Sequence, residues 1–259
     1  LLIVTAGIAT ALAQSLGPAG PSPASDNASV VSQAVVDLPG GQTVWRIRNT
    51  EVNDAQAPMQ NPYPAFVTTE GVPVLVSDDD RNFRQRIASG EATVIMPWHD
   101  MTIRSLGPPQ TVLLLDVLPV DEATLSGSAG SISSPFDVAA GNYDVDLIRV
   151  SLDDGESSQV PRGNGPSLVI VRGGQANFDN TDEAFDLNAG GNRVVGGDLT
   201  VTATQDDTTV LVARIGPDVS TFATPSSAES EAATQAPASP EATPAPATPA
   251  ASPAASPVP

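Results

Sequence analysis

Two stretches of this chain, PAFVTTEG from Pro64 and PSLVIVRG from Pro166, carry Pro, Val and Gly at the same places with apolar residues between. The correspondence continues, because DMTI from Asp100 matches DLTV from Asp198 and TVLLL from Thr111 matches TVLVA from Thr209. The offset is 102 residues at the first pair and 98 at the other two, a drift that short insertions in connecting loops explain. An internal repeat of this length means one structural unit built twice.

The unit is β. Apolar or alternating runs recur as TVWRIRN (43–49), PAFVTT (64–69), VPVLVS (72–77), ATVIM (92–96), MTIRS (101–105) and TVLLLDVL (111–118). The second half supplies YDVDLIRVSL (143–152), PSLVIVRG (166–173), ANFD (176–179), LTVTAT (199–204) and TVLVARIG (209–216). Gly, Pro, Asp and Asn bound these runs, the signature of short strands. Only residues 81–88 carry a helical rhythm, enough for a turn or two. The expected organisation is a first β unit over 33–120, a Gly/Ser-rich linker over 121–142 and a second β unit over 143–218. Units of about 75–90 residues suit small jelly-roll barrels; a pair of immunoglobulin-like sandwiches is the alternative.

Both ends differ from this middle. Residues 1–13, LLIVTAGIATALA, form an apolar run shorter than the roughly 20 residues of a membrane span. The run ends in Ala11-Leu12-Ala13, the small-x-small pattern of a signal-peptidase site, with Gln14 as the expected mature start. The beginning of that signal is expected to lie upstream of Leu1. Residues 14–32 read as a flexible lead-in, and Asn27-Ala28-Ser29 within it matches a glycosylation sequon. Residues 219–259 are a Pro/Ala/Ser/Thr-rich tail with too few large apolar residues to bury a core. The expected address is therefore secreted, either extracellular or in the cell envelope, with no membrane span in the mature chain.

Charge and residue usage narrow the chemistry. The formal net charge is −19, and all 11 positive side chains are Arg. So acidic a chain repels phosphate backbones, which argues against nucleic acid as a partner. Without Lys or Cys it has no Schiff-base amine, thiolate nucleophile or disulfide. Hydroxyls, carboxylates, guanidiniums and one imidazole remain.

The stretch LDDGESSQVPRGNGPSLVIVRGG (152–174) resembles the first motif of the cupin family, and the pair of units is similar to a bicupin over roughly Val35 to Pro217. The resemblance implies barrels in which three His and a Glu hold a divalent metal. Counted from Gly155, the two His positions fall on Pro161 and Gly163, the Glu position on Ser167 and the closing Gly on Gly174. In the first copy the ligand positions fall near Met59, Asn61 and Ala65, and the closing position on Val72, one residue past Gly71. A second motif, set on Gly90-Glu91 and Met96-Pro97, puts the third His position near Thr102, with Thr200 as its repeat partner. None of these residues is a good ligand for a transition metal. Neither a metal nor any other cofactor is expected.

Candidate binding residues at a barrel mouth are Trp98, His99, Thr102 and Thr200. Asp100 cannot easily orient His99, because neighbours in an extended segment point to opposite faces. The acidic groups Asp78-Asp79-Asp80, Asp153-Asp154 with Glu156, and Asp206-Asp207 lie between strands and read as solvated turns. Arg46, Arg48, Arg84, Arg86, Arg104, Arg149, Arg172 and Arg214 fall in or beside strands; some are expected to point into a barrel, most to pair with the surplus acids. These features favour a bicupin-like binding or structural protein without metal-dependent catalysis, and no catalytic residue is assigned. Its expected partner is a small polar ligand or an envelope component, and the resemblance also implies a homodimer. The alternative is a cupin-type enzyme with an oxygen-ligated metal or a carboxylate pair.

Overall fold

The computed structural model describes residues 26–79, 82–97, 99–125 and 130–220, all within one compact unit. The expected export signal and nearly all of the expected tail lie outside the described residues.

Strand β1 (Ala28–Leu38) comes first. Eight strands follow: β2 (Gly41–Val52), β3 (Met59–Asn61), β4 (Ala65–Thr68), β5 (Val74–Asp78), β6 (Phe83–Ile87), β7 (Ala92–Ile95), β8 (His99–Ser105) and β9 (Gln110–Pro119). A short helix α1 (Val120–Leu125) and strands β10 (Ser131–Ile132) and β11 (Phe136–Val138) connect them to a second eight. These are β12 (Gly141–Leu152), β13 (Ser157–Val160), β14 (Ser167–Gly173), β15 (Gln175–Asn180), β16 (Ala184–Asn188), β17 (Asn192–Val195), β18 (Leu199–Ala203) and β19 (Thr208–Asp218).

Both sets of eight fold alike. The first makes sheets β2-β9-β4-β7 and β3-β8-β5-β6; the second makes β12-β19-β14-β17 and β13-β18-β15-β16. Within each set the order is first-eighth-third-sixth and second-seventh-fourth-fifth, which is the jelly roll. The repeat seen in the sequence is thus two barrels of one topology.

Burial explains why the strands read differently. The sheets containing β9 and β19 lie back to back, so their strands are covered on both faces and become nearly continuous apolar runs. On β9, Val112 and Leu114 fill the first barrel while Leu113 and Leu115 pack between the barrels. On β19, Val210 and Val212 fill the second barrel while Leu211 and Ala213 face the seam. The outer sheets meet a core on one side only, so β5 and β18 bury every second residue.

Two connections cross between the barrels. β1 pairs not with the first barrel but with β12 of the second, with Val36 opposite Tyr143. β10 and β11, in turn, extend the first barrel's sheet beside β2. Three stretches therefore differ from their sequence reading. β1 begins at Ala28 inside the expected lead-in and runs through the expected boundary at 33, and the expected linker 121–142 holds α1, two strands and the start of β12. The helical rhythm of 81–88 is strand β6, because pairing with β5 in full register outweighs a short local preference. Among the described residues no helix is long and apolar enough to cross a membrane.

Candidate functional site

The centre of each barrel is set by one charged residue placed in an apolar strand. The alternation that points Val112 and Leu114 into the first barrel also points Asp116 there, and in the second barrel it points Arg214 inward after Val210 and Val212. Across the sheet, Asp116 is the register partner of Arg46 on β2, and Arg214 that of Asp146 on β12. Both pairs occupy the same place in the repeat with the charges exchanged.

In the first barrel Asp116 is fully buried and accepts Arg46 Nε at 2.8 Å. Arg48 grips the same carboxylate with both arms of its fork, Nε to Oδ2 and Nη2 to Oδ1, each at 2.7 Å. Arg48 Nη2 also donates to Asn61 Oδ1 at 2.8 Å, and Asn61 Nδ2 to the carbonyl of Tyr63. In the second barrel Arg214 donates to Asp146 Oδ2 through Nε at 3.1 Å and through Nη2, while its Nη1 reaches the carbonyl of Pro161 at 3.2 Å. Asp144, also buried, accepts Gln33 Nε2 at 3.0 and 2.8 Å. The cluster in the first barrel thus sets two guanidiniums on one carboxylate, and the second barrel encloses two carboxylates and one guanidinium. Asp78, expected in a solvated turn, instead ends β5 as a further buried carboxylate on the face of Val74 and Val76 in the first barrel.

Two of the ligand positions that the resemblance indicated adjoin these groups. Asn61 and Pro161 stand where histidines were sought, and each accepts a hydrogen bond from an inward arginine. A Cβ at Gly163 would lie 2.0 Å from the Ile215 carbonyl and 2.8 Å from Arg214 Cγ, so no imidazole can stand there unless β19 moves. The residues present do not fit a divalent cation, because Arg46 and Arg48 already hold Asp116 in the first barrel and Arg214 holds Asp146 in the second, and each guanidinium repels a cation there. Among the described residues no three metal-ligating side chains converge.

Two groups here titrate abnormally. Asp146 has its pKa raised, chiefly by burial, with Arg214 opposing and Asp144 reinforcing. Its Oδ1 is buried with no hydrogen-bond partner among the described residues. Tyr63 is also raised, by burial first and then by Glu122 of α1.

Of the four candidates from sequence, Thr102 and Thr200 are not brought together. Trp98 lies outside the described residues, and His99 opens β8 opposite Asn61. Thr102 and Thr200 lie on β8 and β18 in different barrels. Their neighbours Met101, Ile103, Leu199 and Val201 point into the cores, so both threonines face away from the barrel interiors. Sequence reasoning passed over Asp116, Asp144 and Asp146. A charge in mid-strand at matching places of a repeat was the available signal for Asp116 and Arg214.

Outside the barrels, hollows follow the seam between the two central sheets. One of about 420 Å³ includes Asn49, Arg172, Gly190 and Asn192. Another of about 300 Å³ includes Glu70, Arg149, Arg172 and Thr209. Arg172 of the second barrel meets Glu70 of the first in a two-armed pair at 2.5 and 3.0 Å.

No protein-family model matches the chain, and no curated protein does. Solved structures do resemble it. YhaK from Escherichia coli is 13% identical, with 71% of this chain and 94% of that one covered and a TM-score of 0.49. A cupin 2 conserved barrel domain protein from Leptotrichia buccalis is 13% identical over 72% and 90% of the two chains, with a TM-score of 0.39. Vicilin from Corylus avellana (hazelnut) is 11% identical over 73% and 85%, with a TM-score of 0.46. The chain's own strand order makes it two cupin-like, eight-stranded jelly rolls joined back to back.

Proposed function

We propose that this is a secreted binding or structural protein whose barrel centres serve as structure rather than as metal sites. The observation that carries the reading is the buried arginine–carboxylate cluster in each barrel, hydrogen-bonded to residues that stand at the expected ligand positions. A ligand then engages the outside of the barrels or their seam, and it is small and polar or a component of the envelope. Export rests on the apolar run before Gln14 and is consistent with a chain that uses no cysteine.

The test is elemental analysis of the purified full chain, with thermal shift against a panel of divalent metals. No stoichiometric metal and no shift are expected. One metal per chain with a rise of several degrees would overturn the reading and return the barrels to metal chemistry.

A further inference from the structure

The apolar layer between the barrels ends in polar residues. On β12, Val145 and Leu147 face the seam, and the same side of the strand continues to Arg149 and Ser151. On β14, Leu168 and Ile170 lead to Arg172, and on β19, Ala213 and Leu211 lead to Thr209. The first barrel closes the far wall with Glu70 and Ser89.

Arg149 is the unusual member. The chain has 30 acidic side chains for 11 basic ones, yet the Arg149 guanidinium has no hydrogen bond or ion pair with any described residue. Its guanidinium nonetheless has a defined place against the Gly90 turn of the first barrel. A Cβ on Gly90 would lie 2.8 to 3.1 Å from its Nη1, Nη2 and Cζ, and the φ of +79° independently calls for glycine there. Arg172 spends Nε and Nη2 on Glu70 and keeps Nη1 available. Around these cations stand the hydroxyls of Ser89, Ser151 and Thr209.

The repeat supplies an internal comparison. Arg149 and Asn49 are both the ninth residue of their strands, β12 and β2. Asn49 lines the neighbouring hollow with Arg172, Gly190 and Asn192, so the place equivalent to Arg149 carries an amide instead of a second guanidinium. A common structural need for arginine at this place would have applied to both.

Resting on the reading of the chain as a binder of small polar ligands, we propose that the hollow at Arg149 is its binding site and takes a small hydroxy-carboxylate. The carboxylate sits on Arg149, assisted by Arg172 Nη1, and the hydroxyls of the ligand meet Ser151 and Thr209. A two-oxygen anion matches the guanidinium fork, which a neutral sugar does not. The volume of about 300 Å³ is at the small end of ligand sites and suits a molecule of one sugar ring or less.

Isothermal titration of the full chain with sodium galacturonate tests this, with methyl galactoside and inorganic phosphate as comparators. Galacturonate is expected to bind, weaken with added salt and lose at least about tenfold in affinity in Arg149→Met. Methyl galactoside is expected to bind at least about tenfold less tightly than the acid. Asn49→Met, the same change at the equivalent position, is expected to leave affinity unaltered, and unchanged melting of both variants shows that folding is intact. Galacturonate binding that survives Arg149→Met would overturn the site and leave the function reading standing. Phosphate binding as tightly as galacturonate would overturn the carboxylate assignment. No binding of galacturonate would overturn the proposal, whereas the function reading falls only on the metal measurement.

Discussion

Asp146 is 1% exposed, and Arg214 is the cation that opposes the cost of burying it. Removing one partner of such a pair is far worse than removing both. Arg214→Met is therefore expected to cost about 3–5 kcal/mol in urea denaturation, and Asp146→Leu added to it to restore most of that loss. The effect has a pH signature. Without Arg214, burial raises the Asp146 pKa unopposed, and a carboxylate raised above its ordinary 3.8 favours the unfolded chain once pH climbs past that value. The deficit of Arg214→Met should be largest at pH 7 and shrink as pH falls towards 4. Gly163 is sensitive for a steric reason: its absent Cβ would clash with the Ile215 carbonyl, so Gly163→Ala should cost about 1–3 kcal/mol in the same assay. At this scale the sequence was half legible. Asp116 in TVLLLDVL and Arg214 in TVLVARIG announce themselves as charges in apolar runs. Their partners do not, since Arg46 and Asp146 lie about 70 residues away and depend on a register that only the folded sheet defines.

Among the elements, β1 carries the clearest consequence. Val36 and Leu38 are 1% and 3% exposed and belong to the layer between the barrels, although the strand precedes them both. A chain beginning at residue 39 should lose at least about 3 kcal/mol and self-associate through the bared edge of β12, as read by denaturation and size exclusion. The strands of the two central sheets were legible because burial on both faces makes them long apolar runs. β1, β10 and β11 were not, because sequence proximity suggests a strand will join the nearest barrel, and here each joins the sheet across the seam or beyond the connection. β6 misled for another reason. As an edge strand with Arg84 and Arg86 turned outwards, FRQRI has too little apolar alternation to outweigh a weak helical pattern.

For the whole molecule, the layer between the barrels matters most. Trp45 of the first barrel is 1% exposed and donates its Nε1 to the Pro166 carbonyl of the second at 2.9 Å. Leu113, Leu115, Ile170 and Leu211 bury their side chains only because the other barrel is present. Calorimetry of the full chain should show one cooperative transition, with calorimetric and van't Hoff enthalpies equal, rather than two independent ones. The Glu70–Arg172 pair at the edge of this layer is part-exposed, so exchanging its charges in Glu70→Arg/Arg172→Glu should leave that transition nearly unmoved.

The crossing of β1 also fixes an order of events during synthesis. The segment made first among the described residues finds its partner, β12, only after more than 100 further residues have been added, as the pairing of Ala34 with Val145 shows. A nascent chain that has completed every strand of its first barrel still has β1 without a sheet to join. Such distant pairing is slow to form. The protein reaches its native state late, and the half-made chain remains open to whatever handles unfolded polypeptides until its second barrel arrives.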